Sequence, residues 1–277
     1  EKEPNDVYTQ AAPWDTARPI TGRLSSANDV DLYSFILETP RYLELAFSCP
    51  GSSSPFSLTL YKDSDQNEID GIDIVNGQNT SLNMGLGIGR YFLKVRSANA
   101  DTVNPYTLTL RDSTQTNLEI ESNNTLKVAN AIDKTGAKRG RIYSTTDVDY
   151  YGFYLTSQSI FAVQFTPSTT SGDYKVSLVD DNGAAFSSKL STNGVPLSPL
   201  TGNKAPGNYY IKVEANGDID QYKTYDLTIT STADIIGLKQ LVGVTVSAAQ
   251  AEMQPGNSQT LTAKASYSDA SAATITP

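Results

Sequence analysis

The sequence of 277 residues contains no histidine and a single cysteine, Cys49. Without imidazole there is no Ser/His/Asp or Cys/His triad, and the usual nitrogen ligands of catalytic zinc are missing. One cysteine excludes an intramolecular disulfide and any cysteine cluster for zinc or iron–sulfur. Cys49 stands beside Pro50-Gly51 with no basic neighbour to lower its pKa, so it reads as an inert, buried or half-buried thiol. Positive charge is in deficit too: 21 Lys and Arg face 30 Asp and Glu, a net charge of −9. Such a chain lacks the basic stripe that phosphate backbones require, which excludes nucleic acid as a partner. No run approaches the roughly 18 apolar residues of a membrane span, and no basic-then-apolar leader opens the chain. Helical periodicity is scarce.

What the sequence has instead is alternation. Short runs with a two-residue period recur between Gly, Pro, Asn and Asp clusters, which predicts an all-β protein. The runs come in two matching sets. Tyr33, Phe35 and Leu37 return 118 residues later as Tyr151, Phe153 and Leu155; Leu43, Leu45 and Phe47 return as Phe161, Val163 and Phe165. Leu58 and Leu60 match Val176 and Leu178, and Tyr91, Leu93 and Val95 match Tyr209, Ile211 and Val213. Tyr106, Leu108 and Leu110 match Tyr225, Leu227 and Ile229 at an offset of 119, so the loop before them holds one extra residue. Residues two apart share a face of a strand, so these sets are the inward faces of two similar sandwiches. No helical crossovers separate the strands, which favours tandem jelly-roll-like sandwiches over a parallel sheet. The expected division is 1–113 and 114–233, joined by the short polar run Asp112 to Asn117, with the two domains close together. Residues 234–277 offer strands at Leu241 to Val246 and at Leu261, Ala263 and Ala265, with a turn at Met253 to Asn257 between them. That segment is too short for its own core, which predicts either a fragment of a third domain or an arm packed on something else, within a larger multidomain chain.

The repeat also duplicates a set of oxygen-bearing side chains. Glu1-Lys2-Glu3-Pro4-Asn5-Asp6 is followed by Asn28-Asp29-Val30-Asp31-Leu32-Tyr33, and Glu119-Ile120-Glu121-Ser122-Asn123-Asn124 by Thr146-Asp147-Val148-Asp149-Tyr150-Tyr151. Clustered carboxylates repel one another. Two copies of one acidic arrangement therefore favour a hard cation that staples each leading segment to an early strand, over a solvated acidic terminus. Asp29 and Asp147, two residues ahead of Asp31 and Asp149, read as formers of Asx turns.

Taken together, Glu-x-Glu-Pro-Asn-Asp at 1 to 6, Gly22 ahead of Asp-x-Asp-x-Tyr at 29 to 33, and Gly89-Arg90-Tyr91-Phe92-Leu93-Lys94-Val95 resemble the bacterial pre-peptidase C-terminal domain. The second copy keeps the order with Gly140 and Gly207-Asn208-Tyr209-Tyr210-Ile211-Lys212-Val213, so the resemblance covers about residues 1 to 232. Residues 238 to 277, with Pro255-Gly256, Leu261-Thr262-Ala263 and Tyr267-Ser268-Asp269, look like the first half of a bacterial Ig-like module. The resemblance implies noncatalytic sandwiches appended to secreted or cell-surface bacterial proteins, several of which bind calcium. A composition with 16 tyrosines and abundant Ser and Thr agrees with export.

The relatives most similar in pattern, the collagen-binding modules of clostridial collagenases, imply calcium ligands at Glu1, Glu3, Asn5, Asp6, Asn28 and Asp31. In the second copy the same positions are Glu119, Glu121, Asn123, Asn124, Thr146 and Asp149. Asn124 replaces the Asp6 carboxylate and Thr146 replaces Asn28; fewer charges predict the weaker site there. Collagen affinity is not implied. Where those modules carry tyrosines this chain has Arg96, Ser97 and Ala98, and Glu214, Ala215 and Asn216. The expectation is a calcium-binding accessory module for extracellular polysaccharide or protein, with a calcium-stiffened spacer or adhesin stalk as the alternative and no enzymatic activity.

Other signals are weaker. Asp63-Ser64-Asp65-Gln66-Asn67 starts like a helix-loop-helix calcium loop, but Glu68 stands where Gly is needed and Ile74 where Glu should chelate. Asp180-Asp181-Asn182-Gly183 reads as a hairpin turn. Trp14, Tyr8 and Tyr42 are candidates for a sugar platform, against the commoner role of aromatics as packing residues. Asp70 and Asp73 could pair for glycoside hydrolysis, against plain loop charge.

Overall fold

The structure is a computed structural model that describes residues 1–62, 67–99, 103–238, 241–248, 261–267 and 272–275. Alternation becomes burial. In Arg41–Ser48 the side chains of Leu43, Leu45 and Phe47 are buried while Glu44, Ala46 and Ser48 are half-buried, so the period of the sequence is the period of the core. Burying each such leucine or phenylalanine contributes about 1.5–3 kcal/mol, against the entropy of ordering the strand.

Eight strands of the first unit form two sheets. Counted from Ile20–Gly22 as the first to Tyr106–Asp112 as the eighth, one sheet runs 2-7-4-5: Val30–Leu37, Gly89–Arg96, Phe56–Lys62 and Asn67–Ile74. The other runs 1-8-3-6, with Arg41–Ser48 third and Thr80–Leu86 sixth. That order is the jelly roll. The second unit repeats it: Val148–Leu155, Gly207–Ala215, Tyr174–Asp180 and Ala185–Ser191 face Lys138–Gly140, Tyr225–Ser231, Ser159–Pro167 and Leu200–Lys204. Each pair of sheets encloses one large apolar cluster.

Beyond Ser231 the chain returns to the second unit. Ile235–Gly237, which the sequence-based division places in the third segment, pairs with the edge of Val148–Leu155, and Ile235 is buried in the second core. A separate antiparallel sheet of three strands follows, Leu241–Ala248, Leu261–Tyr267 and Ala272–Ile275. The expected turn at Met253 to Asn257 and the loop residues Asp63 to Gln66 lie outside the described residues. Among the described residues no helix is long and apolar enough to cross a membrane.

The Asp180 to Gly183 turn closes Tyr174–Asp180 onto Ala185–Ser191, with Gly183 at φ 80°, where glycine has no Cβ to clash. Trp14 is 6% exposed and packs edge-on against Tyr33 and Phe35, and the half-buried Tyr8 packs edge-on against Tyr61 and Phe92, so both take the packing role of such aromatics. Tyr42 is half-buried. Cys49 is buried, its thiol donating to the Asn104 carbonyl at 3.6 Å. Asp70 and Asp73 are not loose loop charge. Asp70 forms a buried ion pair with Arg141 of the second unit at 2.9 Å, and Asp73 accepts the Tyr222 hydroxyl at 2.7 Å.

Candidate metal centre

Each oxygen cluster is assembled at one end of its sandwich from the segment ahead of the first strand, the second strand and the eighth. One carboxylate oxygen from each of Glu1, Glu3 and Asp31 lie within 4.8 Å of one another, and those of Glu119, Glu121 and Asp149 do the same. Backbone hydrogen bonds fix the leading segment. The Asn5 carbonyl accepts from Leu32 N–H at 3.0 Å and the Asn123 carbonyl from Tyr150 N–H at 3.1 Å, laying each segment along its second strand.

The carboxylates are oriented by the same partners in both copies. Glu1 Oε1 accepts from Arg23 N–H at 2.8 Å and Oε2 from the Tyr33 hydroxyl at 2.7 Å. Glu119 accepts from Arg141 N–H at 2.6 Å and from Tyr151 at 2.8 Å. Glu3 and Glu121 accept from the amides of Asn5 and Asn123 at 3.0 and 3.2 Å. Tyr106 donates to Asp31 Oδ2 and Tyr225 to Asp149 Oδ2, and the hydroxyls of Tyr33 and Tyr106 lie 2.6 Å apart. Room for these side chains comes from Gly22 and Gly140. A Cβ at Gly22 would stand 2.2 Å from Glu1 Oε2, and one at Gly140 would stand 2.2 Å from the Tyr151 hydroxyl.

The tyrosines are the functional residues that the alternation pattern assigned only to the core. Their recurrence as Tyr at 33/151 and 106/225 is a partial signal, since Tyr91/Tyr209 recurs too and donates instead to the carbonyls of Gly87 and Ala205.

Burial raises the carboxyl pKa of Glu3 and Asp31 in the first centre and of Glu119, Glu121 and Asp149 in the second. Asp31 is pushed up to about 8 by desolvation, against the lowering effect of the Tyr106 hydroxyl. Glu119 is pushed up to about 8 by desolvation and by the charge of Asp147, while burial, then the charge of Glu119 and then that of Asp147 hold Glu121 and Asp149 well above the ordinary carboxylate range. Ionising three such groups together is costly unless a positive charge sits among them.

Orphaned oxygens make the same point. Asn123 and Asp149 are 0% exposed, and the Oδ1 atom of each has no hydrogen-bond partner. In the first unit the Asn5 side-chain amide, its nitrogen turned toward the carboxylates, donates to Glu3 Oε2 at 2.8 Å and to Asp31 Oδ1 at 3.2 Å. Converging carboxylate and amide oxygens suit a hard cation, and the all-oxygen donor set suits calcium rather than zinc.

Of the expected ligands, the structure therefore gathers Glu1, Glu3, Asn5 and Asp31, and Glu119, Glu121, Asn123 and Asp149. The other four are exposed on the surrounding loops. Asp6 accepts from Val30 N–H at 3.4 Å, and Asn124 hydrogen-bonds Asp147. The Asn28 amide donates to Ser26 Oγ at 3.2 Å, and Thr146 Oγ1 lies 3.1 Å from Ser144 Oγ. In place of the expected Asx turns, in which the side chain bonds the amide two residues on, Asp147 bonds the next amide, Val148 N–H, and both aspartates reach back along the chain. They accept from Ser25 N–H and Tyr143 N–H, four residues upstream, and add a buried charge beside each centre. Asp147 is itself pushed up to about 6, chiefly by burial.

Comparison with known proteins finds no matching family model and no curated relative. Among solved structures, the pre-peptidase C-terminal domain of a Bacillus anthracis collagenase aligns over 40% of this chain and 100% of its own, with 21% identity and a TM-score of 0.32. The tandem CBM22 modules of Paenibacillus barcinonensis Xyn10C align over 78% of this chain and 86% of theirs, with 10% identity and a TM-score of 0.24. The tandem CBM51 modules of a Streptococcus pneumoniae family 98 glycoside hydrolase align over 78% and 84%, with 9% identity and a TM-score of 0.26. The chain carries tandem β-sandwiches. That statement rests on its own strand order; scores this low carry no function across.

Proposed function

We propose that the chain is a noncatalytic, calcium-binding pair of β-sandwich modules of an exported or cell-surface bacterial protein. In this reading it serves as an accessory module that binds or targets extracellular polysaccharide or protein. The observation that carries the calcium part is the duplicated convergence of Glu, Glu, Asn and Asp oxygens, with the Oδ1 atoms of Asn123 and Asp149 buried and unpartnered. Calcium accepts six to eight oxygens at flexible angles, whereas magnesium demands a near-ideal octahedron and dehydrates reluctantly. Bound calcium would supply positive charge among carboxylates that otherwise repel. The protein side of the work is done by the Tyr pairs and backbone amides, which aim those carboxylates inward.

A ligand bound to the folded state alone adds about 2.7 kcal/mol when it is a hundredfold above its dissociation constant. A calorimetric melt in millimolar calcium is expected to run several degrees above one in chelator, and Asp31→Ala to remove the first unit's share. Coincident melts would end the calcium reading. A second reading, a calcium-stiffened spacer or stalk, is favoured by the backbone pairing of Glu121 with the first unit, which sets one centre at the joint. Saturable binding on a glycan or matrix array supports the first reading. Its absence, together with a calcium-dependent change in small-angle scattering, supports the second.

A further inference from the structure

The two centres share their architecture yet differ in cover: Glu1 and Glu3 are exposed, whereas Glu119 and Glu121 are each only 7% exposed. The cover is the first unit. Glu121 is held on both sides by its strand Thr80–Leu86 and the turn beyond, Glu121 N–H donating to the Gly85 carbonyl at 2.9 Å and the Glu121 carbonyl accepting from Gly87 N–H at 3.0 Å. A Cβ at Gly85 would stand 2.1 Å from the Glu119 carbonyl, so the approach is possible only for glycine.

Beside this contact the Asp70–Arg141 ion pair crosses the joint at 2.9 Å, 10% and 13% exposed. The backbone of that same Arg141 holds Glu119 Oε1 at 2.6 Å. Residues of both units, including Asp70, Gly85, Glu119, Glu121 and Arg141, line a cavity of about 30 Å³ at the joint.

We infer that the first unit is a structural part of the second unit's cation site, so that affinity there depends on the two units being docked. The inference rests on the calcium reading above. Docking fixes Glu119 and Glu121 before the cation arrives, so less ordering is left for binding to supply. Asp70 neutralises a guanidinium that would otherwise oppose a cation nearby. By linkage, the cation favours the docked joint by the same factor that docking favours the cation. The gathered carboxylates are equal in number in the two centres. Docking therefore acts in favour of the second.

The test uses the full chain and calcium chloride. Asp31→Asn leaves the second centre for titration, and Asp149→Asn leaves the first. Into each background Gly85→Val is introduced, whose nearest neighbours all belong to the second unit, and separately Asp70→Asn. In the Asp31→Asn chain both joint variants are expected to weaken calcium binding by about tenfold or more, the range typical of residues that support metal ligands. In the Asp149→Asn chain the affinity is expected to stay within about twofold, which also reports a folded first unit. Unchanged affinity of the second centre in both joint variants overturns the inference and leaves calcium binding standing. No calcium uptake by the Asp31→Asn chain overturns the calcium reading of that centre and the inference with it.

Discussion

Tyr106 and Tyr225 each serve two purposes. Their rings fill the sandwich, stacked or tilted against Phe47 and Phe165, while their hydroxyls donate to Asp31 and Asp149. One oxygen of each aspartate is thereby occupied and the other is left facing the centre. Tyr225→Phe keeps the ring and removes only the donor. We expect calcium affinity of the second centre to fall by roughly 10- to 100-fold, as for other supports of metal ligands, with a stability loss near 1 kcal/mol in chelator. Titration calorimetry and a denaturant curve in chelator read the two effects separately. A drop in stability with affinity intact would make the hydroxyl a packing feature alone. This role was only half legible in the sequence. A two-residue period says which face a tyrosine occupies and nothing about what its oxygen meets, whereas Glu1, Glu3, Asp31 and their copies were legible because acids two residues apart, repeated at a fixed offset, have few other uses.

Strands show the same division between what a pattern carries and what it omits. Five of the eight jelly-roll strands of each unit follow the alternating runs, because each of those runs is long enough to have a buried face. Ile235–Gly237 has three residues and no period, so nothing marked it as a sheet edge. Its role emerges from comparing the copies. Trp14 fills the edge of the first core beside Phe35, and the residue at its place in the second unit is the smaller Ile132. There the chain adds Ile235, whose strand pairs beyond Asn130–Ala131 along the same edge of Val148–Leu155. Large-to-small changes at such sites cost about 2–5 kcal/mol for Ile→Ala and about 3–5 kcal/mol for Trp→Ala, through lost transfer energy and the cavity left behind. Ile235→Ala should lower the denaturant midpoint of the second unit and leave the first alone, with Trp14→Ala doing the reverse. If Ile235→Ala leaves both midpoints in place, the segment after Ser231 is an appendage and not part of the second sandwich. The joint was illegible for a different reason. Part of it runs through the backbones of Gly85 and Glu121, and backbone pairing leaves no trace in side-chain letters.

The whole chain carries a net charge of −9, yet its buried acids make the metal-free protein sensitive to pH in a direction opposite to ordinary acid denaturation. A carboxyl whose pKa is raised on folding holds its proton more tightly in the folded state. The stability it contributes is fully present below the unfolded value near 4 and is lost as pH rises through the folded one. With Asp31 and Glu119 pushed up to about 8 and Asp147 to about 6, that window runs from roughly pH 4 to pH 8. In chelator the melting temperature should therefore fall between about pH 5 and pH 8.5, in enough salt to screen the general repulsion of surface acids. Calcium competes with those protons for the same oxygens, so its stabilising shift should grow across the same window. The combined Asp31→Asn and Asp149→Asn chain should flatten both trends. A melting temperature in chelator that rises toward pH 8.5 would mean that these carboxylates are solvated and apart, and that no cation is needed to hold them together.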